Sequence, residues 1–226
     1  MEAIILAGGQ GTRLRPIISD IPKPMAPIGD KPFLNLVMDY LCEQGIHRVI
    51  LSTGYKHEVI EAYYRSEYRG MSITYSVEEE PLGTGGGILK ASQYVKSNDV
   101  VIINGDTLFQ ANLKDMYAIH TEFQSDVTMA LKIMNNFDRY GAVKTLGQRV
   151  IGFEEKKYVE SGFINGGVYL VRLSTLRNLI LPERFSFEKD FLERYIHELS
   201  MHAYVSDANF IDIGIPEDYR LAQEVL

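Results

Sequence analysis

Residues 3–16 read AIILAGGQGTRLRP, a short apolar run that passes directly into glycines and arginines. An apolar run of this length ending in glycine is typical of a buried strand that delivers flexible backbone to the edge of a sheet. The glycines leave backbone N–H groups open to close approach by an anion, and Arg13 and Arg15 add fixed positive charge. The stretch therefore predicts a phosphate-binding loop, and its arginines favour a polyphosphate.

The spacing of this loop separates it from two common phosphate-binding motifs. A Walker loop requires Gly-Lys followed by Ser or Thr, whereas Thr12 and Arg13 follow Gly11 here. A dinucleotide-binding fingerprint requires a third glycine three positions after Gly11, where Leu14 stands. On the pattern alone, a purely structural turn between strand and loop is the alternative, although such a turn gains nothing from Arg13.

The bulk properties of the chain exclude several classes of protein. Its 226 residues predict one domain over 1–226, and its net charge of −7 argues against nucleic-acid and membrane-surface partners. No apolar run reaches the length of a membrane span and no basic segment precedes the first one, which predicts a cytoplasmic protein. The single cysteine, Cys42, excludes an internal disulfide and suits a buried structural thiol.

Strand-like and helix-like segments alternate through the first half of the chain. The residue pattern predicts helices over 33–44, 58–68 and 84–95, and strands over 48–53, 72–77 and 100–104. Such alternation predicts parallel strands with crossover helices on both faces of one sheet. The second half predicts strands over 126–133, 141–145, 150–154 and 166–171, and therefore a mixed strand order. The predicted architecture is an α/β three-layer sandwich around a mixed, mostly parallel sheet.

Two further motifs carry residues suited to a phosphorylated ligand. In PKPM, residues 22–25, two prolines fix the backbone around Lys23, which a solvated loop lysine would not require. In EPLGTGGG, residues 80–87, four glycines fall within five positions at the start of a predicted helix, which favours close approach of a ligand. A merely crowded turn is the structural alternative for the second motif.

Two carboxylates stand in strongly apolar surroundings. Asp106 ends the segment NGD after the most apolar predicted strand, and Asp212 lies within FIDIG. A buried unpaired carboxylate is costly, so each side chain calls for a metal or a cation. Mg²⁺ takes one or two carboxylates together with substrate phosphates, which suits this pair, although either aspartate alone could be a structural acceptor. The five histidines show no ligand spacing and are expected to be solvated or structural.

The motifs LAGGQGTRLRP, PKPM, EPLGTGG and NGD, in this order and spacing, resemble those of the sugar-1-phosphate nucleotidyltransferases. That family joins a nucleoside triphosphate to a sugar phosphate. The resemblance extends from Ala3 to residues 212–216, and it implies a Rossmann-like nucleotidyltransferase fold. The chain ends shortly after Asp212, so the C-terminal β-helix that some relatives append is not expected.

The resemblance also implies roles for individual residues. Arg13 and Lys23 would be catalytic, by neutralising charge at the reacting phosphate. Mg²⁺ would be held by Asp106 and Asp212. Nucleotide binding would fall to Leu6, Gly8, Gly9, Gly11, Thr12, Glu78, Pro81, Gly83, Thr84 and Asp106. The sugar phosphate would be bound by Gly141, Glu155, Lys156 and Asn165. Many relatives read Glu-Lys-Pro where this chain has Glu155-Lys156-Lys157, and a surface ion pair is the structural alternative for Lys156.

The identity of the base and of the sugar depends on less specific signals. A carboxylate at Glu78 only accepts hydrogen bonds, which suits the N–H donors of guanine and favours GTP; Glu79 and Glu80 are alternative readers. Within the family, the chain is most similar to the guanylyltransferases of D-glycero-α-D-manno-heptose 1-phosphate, which make GDP-heptose for bacterial surface polysaccharide. Mannose-1-phosphate guanylyltransferases and N-acetylmuramate 1-phosphate uridylyltransferases are the alternatives. A non-catalytic regulatory subunit on the same fold is the alternative from another class, and a homodimer is a further expectation.

Overall fold

The computed structural model describes residues 1–9, 11, 14, 18 and 20–225. In chain order its strands are β1 (Glu2–Ala7), β2 (Pro27–Ile28), β3 (Lys31–Pro32), β4 (Arg48–Thr53), β5 (Glu67–Tyr68), β6 (Met71–Val77), β7 (Asp99–Asn104), β8 (Thr107–Phe109), β9 (Val127–Phe137), β10 (Val143–Leu146), β11 (Arg149–Phe153), β12 (Val159–Arg172), β13 (Met201–Ser206) and β14 (Phe210–Asp212). Its α-helices are α1 (Phe33–Glu43), α2 (His57–Tyr64), α3 (Gly83–Ser92), α4 (Leu113–Glu122), α5 (Leu173–Asn178) and α6 (Pro216–Val225). A 3-10 helix spans Lys23–Met25 and a π-helix spans Phe187–Glu193.

One ten-stranded sheet organises the molecule, in the order β10-β11-β13-β9-β12-β7-β1-β4-β6-β5. β1 pairs in parallel with β4 and β7, and β4 pairs in parallel with β6. β12 enters antiparallel between β7 and β9, and β9 pairs in parallel with β13. Most strands therefore run in one direction, with β5, β11 and β12 opposed. The predicted mixed, mostly parallel α/β sheet is confirmed.

Apolar side chains alternate between the two faces of this sheet. In β1, Ala3 and Ile5 join a core built with α1, α2, α4 and α6, whereas Ile4 joins a second core built with α3, α5 and the π-helix. Successive side chains of a strand point to opposite faces, so both faces of β1 are buried, as its unbroken apolar run predicts. Helices consequently cover both faces of the sheet.

Local sequence explains where several helices begin and end. α1 stops before Gly45, whose φ of +75° lets the Ile46 N–H return to the carbonyl of Leu41. α4 begins after Asn112, whose side chain accepts from the N–H groups of Lys114 and Asp115. These end signals are local, and at the start of α4 the Leu113 N–H also donates to the distant Gln44 Oε1 at 2.9 Å.

Several predicted boundaries were wrong. The helix predicted over 58–68 ends at Tyr64, because Arg65 adopts a φ of +53° and the chain then turns into β5, which pairs with β6. The strand predicted over 166–171 is the second half of the longer β12, and the strand predicted over 141–145 begins only at Val143. The π-helix was not predicted. That residues 1–226 form a single domain stays a prediction.

Two histidines and the cysteine occupy structural positions. His120 and His202 are buried and bond to hydroxyl groups, of Thr128 and Ser125 respectively. Cys42 on α1 is half-buried, and burial raises the pKa of its thiol. Among the described residues, none of the helices combines the length and apolar character that crossing a membrane requires.

Candidate functional site

A cavity of about 390 Å³ opens at the carboxyl ends of the parallel strands. The ends of four strands converge there because their registers match: Leu6 stands beside Asn104, and Ala7 stands beside Thr53, which in turn neighbours Val77. The cavity is lined by Leu6, Ala7, Gly8, Gly9, Gly11, Lys23, Pro24, Glu78, Pro81, Gly83, Thr84, Asn104, Asp106, Glu188 and Gly214. The residues after these strands therefore meet at one edge of the sheet, which is where open α/β sheets bind their ligands.

The glycine loop presents bare backbone to the cavity. A Cβ added at Gly9 would meet no atom of the described residues within 4 Å, which leaves room for a ligand on that side. Gly11 has a φ of +57°, and a Cβ there would lie 3.0 Å from the Cβ of Lys23. The Leu14 N–H closes the loop on the carbonyl of Gly11 at 2.9 Å. Thr12 and Arg13, both predicted to contact the nucleotide, lie outside the described residues, as does Arg15.

Lys23 is fixed in the cavity wall by its own short helix and by an ion pair. The Met25 N–H bonds to the carbonyl of Pro22, and the Ala26 N–H bonds to that of Lys23. The Lys23 ammonium donates to Asp106 Oδ2, and its side chain is only 9% exposed. The cation is therefore held at the strand end next to the glycine loop, where the prolines of PKPM predicted a directed lysine.

A second two-stranded sheet brings the two isolated aspartates together. β8 and β14 pair antiparallel with Thr107 opposite Asp212, and the Ile213 N–H donates to the Asp106 carbonyl at 3.1 Å. Burial raises the pKa of Asp212, with a further contribution from the charge of Asp106. The Gly214 N–H donates to Asp212 Oδ1 at 2.7 Å, which fixes that carboxylate.

This pair of carboxylates suits a hard divalent cation. Two like charges held close together in a half-buried position repel each other, and Lys23 is the cation that accompanies them here. Carboxylate oxygens are the ligands that Mg²⁺ prefers, and Mg²⁺ completes its coordination with water and substrate phosphates. Asp106 lines the cavity itself. Asp212 lines an adjoining cavity, and Gly214, whose N–H donates to Asp212, lines the one that holds Asp106. The donor set therefore fits the predicted metal.

Among the three consecutive glutamates, the structure directs one into the cavity. Glu78 accepts from the Leu82 N–H at 2.9 Å and from the Ser52 hydroxyl at 3.2 Å, which braces the turn that follows it. Glu79 and Glu80 instead line a separate groove on the outside of α3. The alternatives that the sequence left open for a base reader are thus reduced to Glu78 by position.

The glycines of EPLGTGGG serve packing more than ligand approach, contrary to expectation. A Cβ at Gly85 would lie 2.1 Å from the ring of Phe185, and one at Gly86 would lie 2.4 Å from the carbonyl of Glu183. The Gly85 N–H also donates to the Phe185 carbonyl. The start of α3 is therefore covered by the segment before the π-helix. In this motif the cavity is lined by Pro81, Gly83 and Thr84.

The residues predicted for the sugar phosphate lie around the cavity rather than in its wall. Asn165 accepts from the Gly167 N–H at 3.0 Å, and a Cβ on Gly167 would touch the side chain of Asn104, so Asn165 stands one layer behind the wall. A Cβ on Gly141 would lie 2.6 Å from the carbonyl of Glu154, which joins the two predicted sugar-binding segments.

The neighbouring acidic and basic segment is exposed. Glu155 and Lys156 are both solvent-exposed. The ion pairs of this segment join Glu154 to Lys144 at 2.6 Å and to Lys157 at 3.1 Å. Lys156 makes no ion pair within the part of the chain that the structure describes, so the surface pairing considered for it is not what the structure has.

Five lining residues were missed by sequence reasoning. Ala7, Pro24, Asn104 and Gly214 flank residues that were predicted, so the extent of each motif could have indicated them. Glu188 is different, because it lies in the π-helix, more than a hundred positions after Thr84. It accepts a hydrogen bond from the Thr84 hydroxyl at 2.8 Å. No spacing rule links these two segments, and only the tertiary fold brings them together.

An α/β sheet with a glycine loop, a lysine and two carboxylates at its strand ends defines a class of protein suited to a phosphorylated nucleotide. The nucleotidyl transferase family model matches residues 2–226. The D-glycero-alpha-D-manno-heptose 1-phosphate guanylyltransferase of Aneurinibacillus thermoaerophilus is 55% identical, over 100% of this chain and 98% of that protein. The protein of the same name from Campylobacter jejuni is 50% identical, over 97% of each.

A solved structure agrees with these sequence relatives. HddC from Yersinia pseudotuberculosis, crystallised in complex with GMP-PN, superimposes with a TM-score of 0.87 at 38% identity, over 99% of this chain and 98% of that one. The chain belongs to the nucleotidyl transferase family.

Proposed function

We propose that the protein transfers GMP from GTP to D-glycero-α-D-manno-heptose 1-phosphate, forming GDP-heptose and releasing pyrophosphate. The observation that carries this proposal is the 55% identity over the whole chain to a guanylyltransferase of that sugar phosphate. The cavity supports it, because glycine backbone, Lys23 and Asp106 line one space at the strand ends.

The reaction requires little proton chemistry from the protein. An oxygen of the sugar phosphate attacks the α-phosphorus of GTP in line, the bond to the β-phosphate breaks, and pyrophosphate leaves. The attacking phosphate is already ionised at neutral pH, so no general base is needed. Catalysis then consists of positioning and of neutralising negative charge.

On the nucleotide side, the glycine loop and Lys23 share the phosphates. Gly8, Gly9 and Gly11 offer backbone N–H groups to the triphosphate, and Lys23 Nζ, already held by Asp106, supplies a cation beside it. We assign Arg13 the same neutralising role from the loop. The proposal for Lys23 is supported by its near-complete burial in the cavity wall, which keeps its charge directed.

We propose Mg²⁺ as the cofactor, held by Asp106 and Asp212. When bound, the ion would supply charge neutralisation to the phosphates of the substrate. The protein's own contribution is to hold both carboxylates ready: the Ile213 and Gly214 N–H groups fix the segment at the end of β14. Lys23 balances part of their charge in the meantime.

Recognition of guanine is assigned to the turn after β6. Glu78 accepts hydrogen bonds only, which suits the N1–H and amino donors of guanine, while Pro81 and Gly83 flank the base. The sugar phosphate is assigned to Gly141, Glu155, Lys156 and Asn165, of which Lys156 would face the phosphate. Exposure of Lys156 supports this role, because its charge is not consumed by an ion pair among the described residues.

A matrix of pyrophosphate-release assays tests the proposal. GTP, UTP, dTTP, CTP and ATP are each combined with heptose, mannose, glucose and amino-sugar 1-phosphates in the presence of Mg²⁺. We expect GTP with heptose 1-phosphate to give the highest kcat/KM. A higher kcat/KM with mannose 1-phosphate, or with UTP, would show that the proposed substrate is wrong. No pyrophosphate release with any pair would favour a non-catalytic role.

A further inference from the structure

Among the described acidic residues of the cavity wall, Glu188 is the one that neither the metal assignment of Asp106 nor the base assignment of Glu78 explains. It sits in the first turn of the π-helix, half-buried, and it lines the same cavity as Lys23 and Asp106. A carboxylate there repels the phosphates of both substrates, so it needs a different partner among the groups that enter the cavity.

Two hydroxyl groups fix one oxygen of this carboxylate. Thr84 Oγ1 donates to Glu188 Oε2 at 2.8 Å, and Ser186 Oγ donates to the same oxygen at 3.1 Å. Each hydroxyl also accepts a backbone N–H, from Phe187 at 2.9 Å and from Lys189 at 3.2 Å, which commits its proton to Glu188. Oε1 accepts no hydrogen bond from the residues that the structure describes.

The surroundings of Glu188 place it between the two halves of the site. Thr84 belongs to the nucleotide side, in the turn after Glu78. On the other side lies Tyr169, which is fully buried; burial, followed by the charge of Glu188, raises the pKa of its hydroxyl well above the usual value. That hydroxyl accepts from Asn165 Nδ2 at 2.7 Å, and Asn165 is one of the residues assigned to the sugar.

A carboxylate oxygen can only accept, so Oε1 requires a donor, and the donors that a sugar phosphate brings are its hydroxyl groups. We propose that Glu188 accepts a hydrogen bond from a hydroxyl of the sugar 1-phosphate through Oε1 and thereby helps to select the sugar. This role rests on the proposed function, because it requires a sugar phosphate as acceptor substrate. A site built to receive a substrate hydroxyl discriminates strongly against an analogue that lacks it.

Glu188→Gln is the informative variant because the hydroxyl groups of Thr84 and Ser186 fix the orientation of the new amide. Thr84 and Ser186 both donate, so the amide oxygen must face them and the amide NH₂ must take the place of Oε1. The substitution thus keeps the hydrogen bonds from Thr84 and Ser186 and replaces the acceptor Oε1 by a donor. Glu193→Gln is the matched control, since it removes the same charge from an exposed position on the same π-helix.

The assay measures KM for each substrate separately, with the pair that the wild-type protein uses best in the matrix above. We expect Glu188→Gln to raise KM for the sugar 1-phosphate about tenfold or more, with kcat and KM for GTP little changed. Sugar 1-phosphates that each lack one hydroxyl should identify the hydroxyl that Glu188 contacts. The analogue that lacks this hydroxyl should have a raised KM with the wild-type protein, and Glu188→Gln should not raise that KM further. Glu193→Gln should behave as wild type.

The outcomes separate the two hypotheses. A wild-type preference for another substrate pair changes the proposed function but leaves the Glu188 comparison intact, whereas a wild type that turns over no pair overturns both. Unchanged KM for the sugar phosphate in Glu188→Gln overturns the role of Glu188, as does a rise confined to KM for GTP. If Glu188→Gln does not fold, Glu188→Asp, which withdraws the carboxylate by one methylene, should raise the same KM.

Discussion

The backbone N–H of Ile213 donates to the carbonyl of Asp106 at 3.1 Å, which joins the two strand ends that carry the isolated carboxylates. This bond and the pairing of β8 with β14 bring Asp106 and Asp212 together although more than a hundred residues separate them. Burial, followed by the charge of Asp106, raises the pKa of Asp212. A magnesium site built on both side chains is therefore a property of the folded chain.

Asp106→Ala tests that site. We expect pyrophosphate release to fall about 100- to 1,000-fold, because charge neutralisation at the reacting phosphates is lost. Initial rates across a Mg²⁺ titration are the measurement, and Asp115→Ala on the exposed surface of α4 is the control. Turnover that persists at the wild-type level would remove Asp106 from the metal assignment.

Lys23→Met tests the cation beside the triphosphate. Methionine keeps the length and apolar stem of the side chain but leaves the carboxylates without their counter-ion. We expect kcat to fall about 100-fold or more, since positioned charge acts in the transition state. Lys31→Met, which removes an exposed lysine a few residues on, should leave kcat unchanged. Equal kcat in both variants would contradict the role of Lys23.

Gly9→Ala should separate ligand binding from folding. A Cβ at this position meets no atom within 4 Å among the residues that the structure describes, so we expect an unchanged melting temperature. The methyl group occupies space that the triphosphate needs, so KM for GTP should rise about tenfold. Thermal denaturation and steady-state kinetics on one preparation decide the matter, and an unchanged KM would show that the phosphates do not approach Gly9.

Gly86→Ala should instead destabilise the fold. Its added Cβ would lie 2.4 Å from the carbonyl of Glu183, which is backbone and cannot swing aside. Overpacking of this kind costs about 1–3 kcal/mol of the free energy of unfolding, measurable in urea. Gly152→Ala, where the Cβ meets nothing within 4 Å, is the matched control. Equal free energies of unfolding for the two variants would mean that the start of α3 can move.

The buried His120 predicts a dependence of stability on pH. Burial lowers its pKa against the opposing pull of Asp99, while Arg172 lowers it further and Asp126 raises it. The unfolded chain therefore binds a proton more readily than the folded one, so stability is lost as the pH falls below about 6.5. His120→Gln should flatten the change in urea midpoint between about pH 7 and about pH 5. The control His197→Gln, at an exposed position, should show the same change in urea midpoint with pH as the wild-type protein. The same wild-type change in His120→Gln would contradict the role of His120.

The sequence by itself determined the parts of this protein that follow from local pattern. The apolar run before Gly8 predicted a buried strand, and the glycines after it predicted open backbone at the end of that strand. Since parallel strands of one sheet end at one edge, the positions of the glycine loop, Glu78 and Asp106 near a common cavity were predictable as well.

Tertiary structure alone decided which distant segments line the cavity together. No pattern in the sequence predicts contacts between segments that lie so far apart in the chain. The tertiary structure selected Glu78 from three consecutive glutamates, and it used Gly85 and Gly86 to admit the segment at Phe185 rather than a ligand. It also seated Glu188 against Thr84 across the cavity. Such pairings depend on how the second half of the chain packs back onto the first, and packing of that kind is set by side-chain shape throughout the core rather than by any motif.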